Sequence, residues 1–231
     1  MAIKPILFNT EMVRAILDGR KTCTRRLVKP QPKSKLCYTF AGSDSDTWGY
    51  PNRTAHEIWG EEFKLPNDIT EEELSKRWNP PYHTDDILYV RETWCGLPVN
   101  EAGHMRGHTI YYYKADGELR PKGWRGTWHP SIHMPKEAAR IWLKVTDVRV
   151  ERLQEITDNE CIKEGIYPSN CRDCNDIFGC DVCPDEGYDE VDKFVEVWNS
   201  TIKKSDLNCY GWDANPWVWV IEFERCEKPE E

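Results

Sequence analysis

Residues 217–223 read Trp-Val-Trp-Val-Ile-Glu-Phe, and this stretch is the most direct indication of the fold. Its large side chains recur at every second position, which is the period of a strand with one face in a core. Residues 87–94 and 139–150 have the same strand character. The helical patterns between such strands lack a regular strand–helix–strand rhythm. The sequence therefore predicts an α+β fold with a mixed β-barrel and flanking helices, and not a parallel doubly wound sheet.

Two helices can be predicted from the residues at their ends. Apolar residues at helical spacing predict a helix that begins after Thr10, the expected N-cap, and ends at Gly19. Residues 22–28 are rich in β-branched and basic side chains and predict a strand. The capping-box pattern of residues 157–160 predicts a second helix that stops at Gly165.

Charge is unevenly distributed along the chain. Residues 1–36 carry nine Lys and Arg against two Asp and Glu, whereas the whole chain has a net charge of −9. An acidic protein is not a general nucleic-acid coat, because non-specific phosphate binding needs a basic surface. A local basic segment favours one anionic ligand or one strand of nucleic acid. The alternative is a solvated basic face that binds nothing.

Composition also bounds the compartment. The amino end lacks the pattern of a secretory signal, and no apolar run is long enough to span a membrane. These features predict a cytoplasmic protein without a membrane partner. In a reducing compartment, the ten cysteines are expected to be thiols or metal ligands rather than disulfides.

Four of these cysteines form two Cys-x-x-Cys pairs within thirteen residues: Cys171, Cys174, Cys180 and Cys183. Four thiolates complete the tetrahedral coordination of Zn²⁺ and leave no position for water, so we expect one structural zinc ion per chain. The Pro-, Asn-, Asp- and Gly-rich surroundings could not hold a fold by burial, and metal binding would supply that free energy. The alternatives are an iron–sulfur cluster and four free thiols.

Three segments in order resemble the ASCH family of the PUA-like superfamily, and in particular its large, phage-type members. They are Gly-Arg-Lys-Thr-x-Thr-x-Arg at 19–26, Asp-Ile-Leu-Tyr-Val-Arg-Glu-Thr-Trp at 86–94, and Leu-Gln-Glu-Ile-Thr from 153 running to Glu164 and Gly165. The Asn-Pro ending at 215–216 belongs to the same pattern. The resemblance implies one PUA-like barrel domain over residues 1–231, with insertions at about 31–83 and 166–190. The first would be irregular with a short helix, and the second would hold the zinc knuckle.

The resemblance also implies a ligand. Its barrel would have a basic cleft for RNA, a nucleotide or a modified nucleoside, and some small ASCH members hydrolyse the amide of N4-acylated cytidine with a lysine, a threonine and a glutamate. Carried onto this chain, these residues are Lys21, Thr24 and Glu164. The turn before the central strand departs from the family pattern, with Asp85-Asp86 where Gly-Asp is usual.

The residues themselves support this chemistry with one difficulty. Thr24 could attack an amide if Lys21 were neutral enough to accept its proton, and the like charges of Arg20, Arg25 and Arg26 disfavour the lysine cation. Residues three apart on a strand point to opposite faces, however. The mechanism therefore requires a turn or bulge between Lys21 and Thr24.

Two glutamates compete for the third position. Glu164 sits in the last turn of its helix, where the helix dipole disfavours an anion, so helix stability does not explain it. Glu92 lies beside Arg91 on the strand at 87–94, and the alternative there is a structural Arg–Glu pair. Trp94 is a candidate wall on which a base stacks, or a core residue. The predicted nucleotide-binding set consists of Arg20, Arg25, Arg26, Arg91, Glu92 and Trp94.

Three functions remain open from the sequence. The first is a module that binds RNA or a nucleotide without chemistry. The second is an amidohydrolase acting on N4-acylcytidine-type nucleosides. The third is an assembly protein of a bacteriophage, with the zinc knuckle as a docking element, which would act in the host cytoplasm.

Overall fold

The computed structural model describes residues 1–41, 45–51, 64–98, 109–117, 127–167 and 190–230. Ten strands lie in these ranges: β1 (Ile3–Leu7), β2 (Cys23–Leu27), β3 (Cys37–Ala41), β4 (Ser45–Gly49), β5 (Arg77–Trp78), β6 (Ile87–Arg91), β7 (Trp94–Pro98), β8 (Thr109–Tyr113), β9 (Trp142–Arg152) and β10 (Trp217–Cys226). The α-helices are α1 (Thr10–Leu17), α2 (Glu71–Ser75), α3 (Asp158–Lys163), α4 (Glu190–Thr201) and α5 (Leu207–Tyr210). Short 3₁₀ turns include Ser131–His133 and Leu153–Glu155.

The central sheet has five strands in the order β1-β6-β9-β10-β2. The β1 and β6 strands are parallel, and the other pairs are antiparallel. The predicted strand at 217–223 is confirmed as part of β10, which lies between β9 and β2. Its Ile221 faces Val148 on one side and Thr24 on the other.

Both faces of β10 are buried. One face supplies Trp217, Trp219, Ile221 and Phe223 to the main core, as predicted. Val218 and Val220 point to the opposite face, where they pack with Phe194 and Trp198 of α4. The α4 helix therefore covers the face of the sheet that the alternating pattern of large residues left unassigned.

The segment at 31–83 has the predicted short helix, but its described part is less irregular than predicted. It contains α2 and a three-stranded sheet in the order β3-β4-β5. Trp48 of this sheet packs edge-on against Trp219 with ring centroids 6.0 Å apart, and Tyr50 packs against Trp78 in the same way. Aromatic side chains thus attach the segment to the main core, although its Pro, Ser and Gly content is typical of loops.

The strand predicted at 87–94 is divided. The β6 strand ends at Arg91, and Trp94 begins β7, which pairs with β8 in a separate two-stranded sheet. The coarse prediction of an α+β fold is confirmed. The described strands form open sheets, and no backbone ladder among them closes a barrel.

The two edge strands of the central sheet nevertheless approach each other. The Nη2 of Arg26 on β2 lies 3.4 Å from the main-chain oxygen of Leu7 on β1. The sheet is therefore rolled, and a side chain bridges its two edges where a closed barrel would have backbone hydrogen bonds. None of the helices in the described ranges is long and apolar enough to cross a bilayer.

Candidate functional site: a pocket between the sheet edges

Lys21 reaches its position through the turn after α1. The helix begins after Asn9, whose side chain accepts from the Met12 amide at 2.8 Å, so Asn9 and not Thr10 is the N-cap. Gly19 has a φ of +79°, as its predicted role as the stop requires, and the Lys21 amide then donates to Ala15. Because β2 starts only at Cys23, Lys21 lies before the strand. The strand geometry that would separate Lys21 from Thr24 does not apply.

The Lys21 amine is surrounded by acceptors. Its Nζ lies 2.8 Å from the Cys23 oxygen, 2.7 Å from the Glu164 main-chain oxygen and 2.7 Å from Glu164 Oε2. Three acceptors match the three N–H groups of an ammonium ion. The sequence shows only neighbouring arginines around Lys21, whereas the structure places the carboxylate of Glu164 against its amine. Lys21 therefore acts as a buried cation that holds Glu164.

Glu164 ends α3 as its C-cap, and its side chain is buried. A carboxylate at a helix C-terminus is electrostatically disfavoured. Here Lys21 compensates it through Oε2, and Arg25 Nη1 lies 3.4 Å from Oε1. The next residue, Gly165, has a φ of +99°, and a Cβ added there would lie 2.8 Å from the Cβ of Ala15. Glycine thus lets the end of α3 pack directly on α1.

Arg25 is the centre of an ionic cluster. Besides Glu164, its guanidinium contacts Glu151 at 3.4 Å and Glu160 at 3.2 Å. Both of these glutamates are shared with Arg149. The Nε of Arg25 is buried and has no hydrogen-bond partner within the described ranges. Arg25 is therefore neutralised by protein carboxylates and is not a free cation for a phosphate.

Arg26 has a different environment. Its Nη1 donates to Thr24 Oγ1 at 2.8 Å and to the Arg25 oxygen at 2.9 Å. Among the described residues, no carboxylate lies within ion-pair distance of its head group. Burial lowers the pKa of Arg26, and the more distant Glu164 offsets this only in part. Arg26 is thus a cation whose partners are all neutral.

A pocket of about 430 Å³ opens beside these residues, between the two edges of the rolled sheet. This volume lies in the range of small-molecule sites. One part of the lining is apolar and comes from β1, β2, the end of α3 and α4: Leu7, Leu27, Ile166, Phe194, Trp198 and Ile202. The polar part consists of Asn9, Thr24, Arg25, Arg26, Tyr82, Glu164 and Thr201. Lys21 lies behind Glu164 and does not line the pocket.

The structure brings together part of the predicted set. One pocket is lined by Thr24, Arg25, Arg26 and Glu164. Lys21 lies outside the lining and holds Glu164 through an ion pair. Arg20 lies nearby but outside the lining, where it donates to the Gly165 oxygen at 2.7 Å and stacks on the Tyr167 ring.

The predicted residues of the 86–94 segment lie elsewhere. Arg91 donates to the main-chain oxygens of Met134 and Ile132. Glu92 accepts two hydrogen bonds from Arg140, at 2.9 and 3.1 Å. It therefore forms a structural Arg–Glu pair, but with Arg140 rather than with Arg91. Trp94 packs against Tyr111 and His129. Of the two competing glutamates, the pocket contains Glu164.

A buried cysteine also lies beside the site. Burial raises the pKa of the Cys23 thiol to about 12, and the charge of Glu164 adds to this effect. The thiol therefore stays protonated and is a poor nucleophile. This agrees with the expectation of a thiol rather than a disulfide.

Sequence reasoning missed the apolar wall of the pocket. The spacing of Val191, Phe194 and Trp198 indicates a helix with one buried face, which is α4, but it does not identify the cavity beside that helix. Asn9 and Tyr82 were missed as well. The only sequence signal for Asn9 was its position beside Thr10 at the start of α1, since both residue types are good N-caps.

The predicted zinc ligands Cys171, Cys174, Cys180 and Cys183 lie outside the described residues. Within the described ranges, no group of three or more His, Cys, Asp or Glu side chains is arranged to hold a metal ion. Zinc binding therefore stays a prediction from the spacing of the cysteines.

Comparison with protein-family models, with curated proteins and with solved structures finds no match to this chain.

Proposed function

We propose that this chain is a large ASCH-type protein, with a PUA-like barrel, whose pocket binds one nucleobase of a modified nucleoside, a nucleotide or an RNA end. The observation that carries the proposal is the pocket itself. It places Thr24 and Glu164, which are 140 positions apart in the sequence, in the same lining as an apolar wall. These are two of the three positions onto which the ASCH pattern maps.

The lining suits a flat heterocycle. Phe194 and Trp198 provide apolar ring surface on one side of the pocket. A nucleobase needs such surface for its faces and matched donors and acceptors for its edge. Glu164 accepts hydrogen bonds and Arg26 donates them, so an edge that carries both an amine and a carbonyl oxygen fits this pair.

The proposed reaction is hydrolysis of the N4-acyl amide of cytidine. The attacking oxygen, from water or from Thr24, would bond to the acyl carbon while its proton passes to the Glu164 carboxylate. The C–N bond then breaks, its electron pair moves to N4, and N4 receives that proton. If Thr24 attacks, water hydrolyses the resulting ester in a second step. The products are cytidine and a carboxylic acid.

In this scheme Lys21 is a positioning residue and not the base. Its three N–H groups are all engaged, and it holds both the carboxylate and the main chain of Glu164. The longer contact of Arg25 with Oε1, at 3.4 Å, leaves that oxygen the better placed one to accept a proton.

A binding module without chemistry is the second candidate, and the same contacts favour it. A carboxylate that is held by Lys21 and Arg25 is also what a purely structural ion-pair cluster contains. The cysteine segment would bind one structural Zn²⁺ through its four thiolates in a reducing cytoplasm, in either case. Elemental analysis of the purified protein that finds no zinc would contradict this part.

The decisive experiment is incubation of the full chain with N4-acetylcytidine, followed by chromatography. The wild type should release cytidine, and Glu164→Gln should reduce the rate by a factor of about 10² or more. Glu92→Gln is the matched control, since Glu92 is an equally buried glutamate that lies outside the pocket lining. Release by the wild type that survives Glu164→Gln would refute the assigned role. Binding of N4-acetylcytidine without release would favour the second candidate.

A further inference from the structure

Arg26 differs from the other cations of the site in its lack of a counter-charge. Lys21 pairs with Glu164, Arg25 pairs with three glutamates, and Arg20 lies 3.3 Å from Asp18. Within the part of the chain that the structure describes, the hydrogen-bond acceptors of Arg26 are the Thr24 hydroxyl and two main-chain oxygens. A guanidinium in a pocket wall without a carboxylate is costly, because burial disfavours its charge.

The unused donors of Arg26 lie on one edge of the guanidinium. Both N–H groups of Nη1 are engaged, by Thr24 and by the Arg25 oxygen. Nη2 makes one long contact with Leu7 at 3.4 Å, and Nε has no bond among the described residues. The Nε–Nη2 edge of the guanidinium therefore makes only this one long contact with the described residues. This edge is the fork that binds the two oxygens of a carboxylate or a phosphate.

Two neutral donors extend this fork. The Thr24 oxygen accepts from Arg26, so its own hydrogen is available to a ligand. Asn9 uses its Oδ1 for the helix cap, which leaves its amide N–H groups at the rim of the pocket. The Glu164 charge nearby is already balanced by Lys21 and Arg25. The polar end of the pocket thus offers several donors to an anion.

We propose that Arg26, with the hydroxyl of Thr24, forms a subsite for an anionic group of the ligand, either a carboxylate or a phosphate. The apolar part of the ligand would then pack against Phe194 and Trp198. The inference rests on the pocket of the proposed function and deepens it. The carboxylic acid that amide hydrolysis releases is one such anion, and the phosphate of a nucleotide is the other.

The test compares anionic ligands with neutral counterparts of similar shape. Benzoate against benzamide tests the carboxylate, and cytidine 5′-monophosphate against cytidine tests the phosphate. Affinities are measured by calorimetry at constant ionic strength on the full zinc-loaded chain. In at least one pair, the anion should bind about tenfold tighter or more than the neutral ligand. Arg26→Gln should remove this preference.

Arg20→Gln is the matched control, because Arg20 is a nearby arginine outside the lining, and it should keep the preference. Arg26→Lys keeps the charge without the fork, and it should retain only part of the preference. If Arg26→Gln does not fold, Arg26→Lys and the salt dependence of the wild type decide the question. Equal binding of both members in each pair, or a preference that survives Arg26→Gln, would overturn the subsite.

The same titrations separate this inference from the proposed function. Cytidine that binds as tightly as its monophosphate, with no preference for benzoate, would overturn the subsite and leave the nucleoside proposal standing. Benzoate binding that depends on Arg26, without binding of either cytidine ligand, would support the subsite and contradict the nucleoside proposal.

Discussion

Two glutamates among the residues that the structure describes are buried in similar ionic surroundings, and only one of them lines the pocket. Glu164 is held by Lys21 and Arg25, whereas Glu92 is held by Arg140, which also contacts Asp116. Both side chains are almost completely covered. A glycine with positive φ follows one acidic residue of each cluster: Gly165 follows Glu164, and Gly117 follows Asp116.

Burial and an ion pair are therefore not sufficient to identify a functional carboxylate. Glu92 combines a buried position with a bidentate arginine, and both are compatible with a structural role. Glu164 has one shorter contact, at 2.7 Å with Lys21, and one longer contact, at 3.4 Å with Arg25, but it lies where two sheet edges leave a cavity. Access to an enclosed space is the feature that separates the two clusters.

The largest expected effect comes from removing the cation of each cluster. Lys21→Met should lower the free energy of unfolding by about 3–5 kcal/mol. The reason is that the buried Glu164 carboxylate would keep only Arg25 as a charged partner, at 3.4 Å, among the described residues. Arg140→Met should cost less, about 1–3 kcal/mol, because the Arg140 side chain is 27 % exposed and water can replace it. Urea unfolding of both variants measures this. Equal losses would contradict the view that the Lys21 cluster is the more completely desolvated one.

The two glycines give the next comparison. Alanine at either position must adopt a positive φ, which costs about 1–3 kcal/mol. Gly165→Ala should cost a further 1–3 kcal/mol or so, because its Cβ would meet the Ala15 Cβ at 2.8 Å. No atom of the described residues lies within 4 Å of a Cβ at Gly117. Thermal unfolding should therefore rank Gly165→Ala below Gly117→Ala, and the reverse order would show that α3 and α1 can separate without loss.

A smaller effect is expected at the two capping boxes. Thr157→Ala and Thr70→Ala each remove an N-cap hydrogen bond and should cost about 1 kcal/mol of stability. Only Thr157 begins the helix that carries Glu164. Ligand affinity should therefore fall in Thr157→Ala and stay unchanged in Thr70→Ala. A binding measurement that finds both variants unchanged would mean that Lys21 alone positions Glu164.

The smallest effect concerns pH. Burial raises the pKa of Glu92 above its ordinary value of 4.5, although Arg140 opposes the shift. A raised pKa in the folded state means that Glu92 favours folding most below its unfolded pKa and loses this contribution as pH rises through the folded value. The stability of the wild type relative to Glu92→Gln should thus decline as pH rises from about 4 to 7. A difference that stays constant over this range would contradict the shift.

Much of the fold could be predicted because it depends on local pattern. The face of β10, the stop at Gly19 and the capping box of α3 follow from spacing and from residue type. The cap at Asn9 was misplaced by one position, since Asn and Thr are both good N-caps and only the backbone decides between them. The sheet formed by β3, β4 and β5 was missed because its loop-like composition conceals the tryptophans that anchor it.

The candidate site could be predicted only in part, for a physical reason. The order of motifs in the chain identified Lys21, Thr24 and Glu164. The ion pair between Lys21 and Glu164, however, joins residues 143 positions apart. Local sequence shows only the neighbouring arginines. The same limit applies to Arg25 and Arg26, which are adjacent in sequence yet have different partners.

The position of β2 at the edge of the sheet has a consequence for synthesis on the ribosome. Among the described strands, β2 pairs only with β10, so residues 23–27 must wait for residues 217–226 before they join the sheet. The pocket needs β2, α3 and α4 together. A nascent chain therefore cannot complete the pocket until residues 217–226 have been synthesised, and the basic residues of β2 join the sheet only at that point.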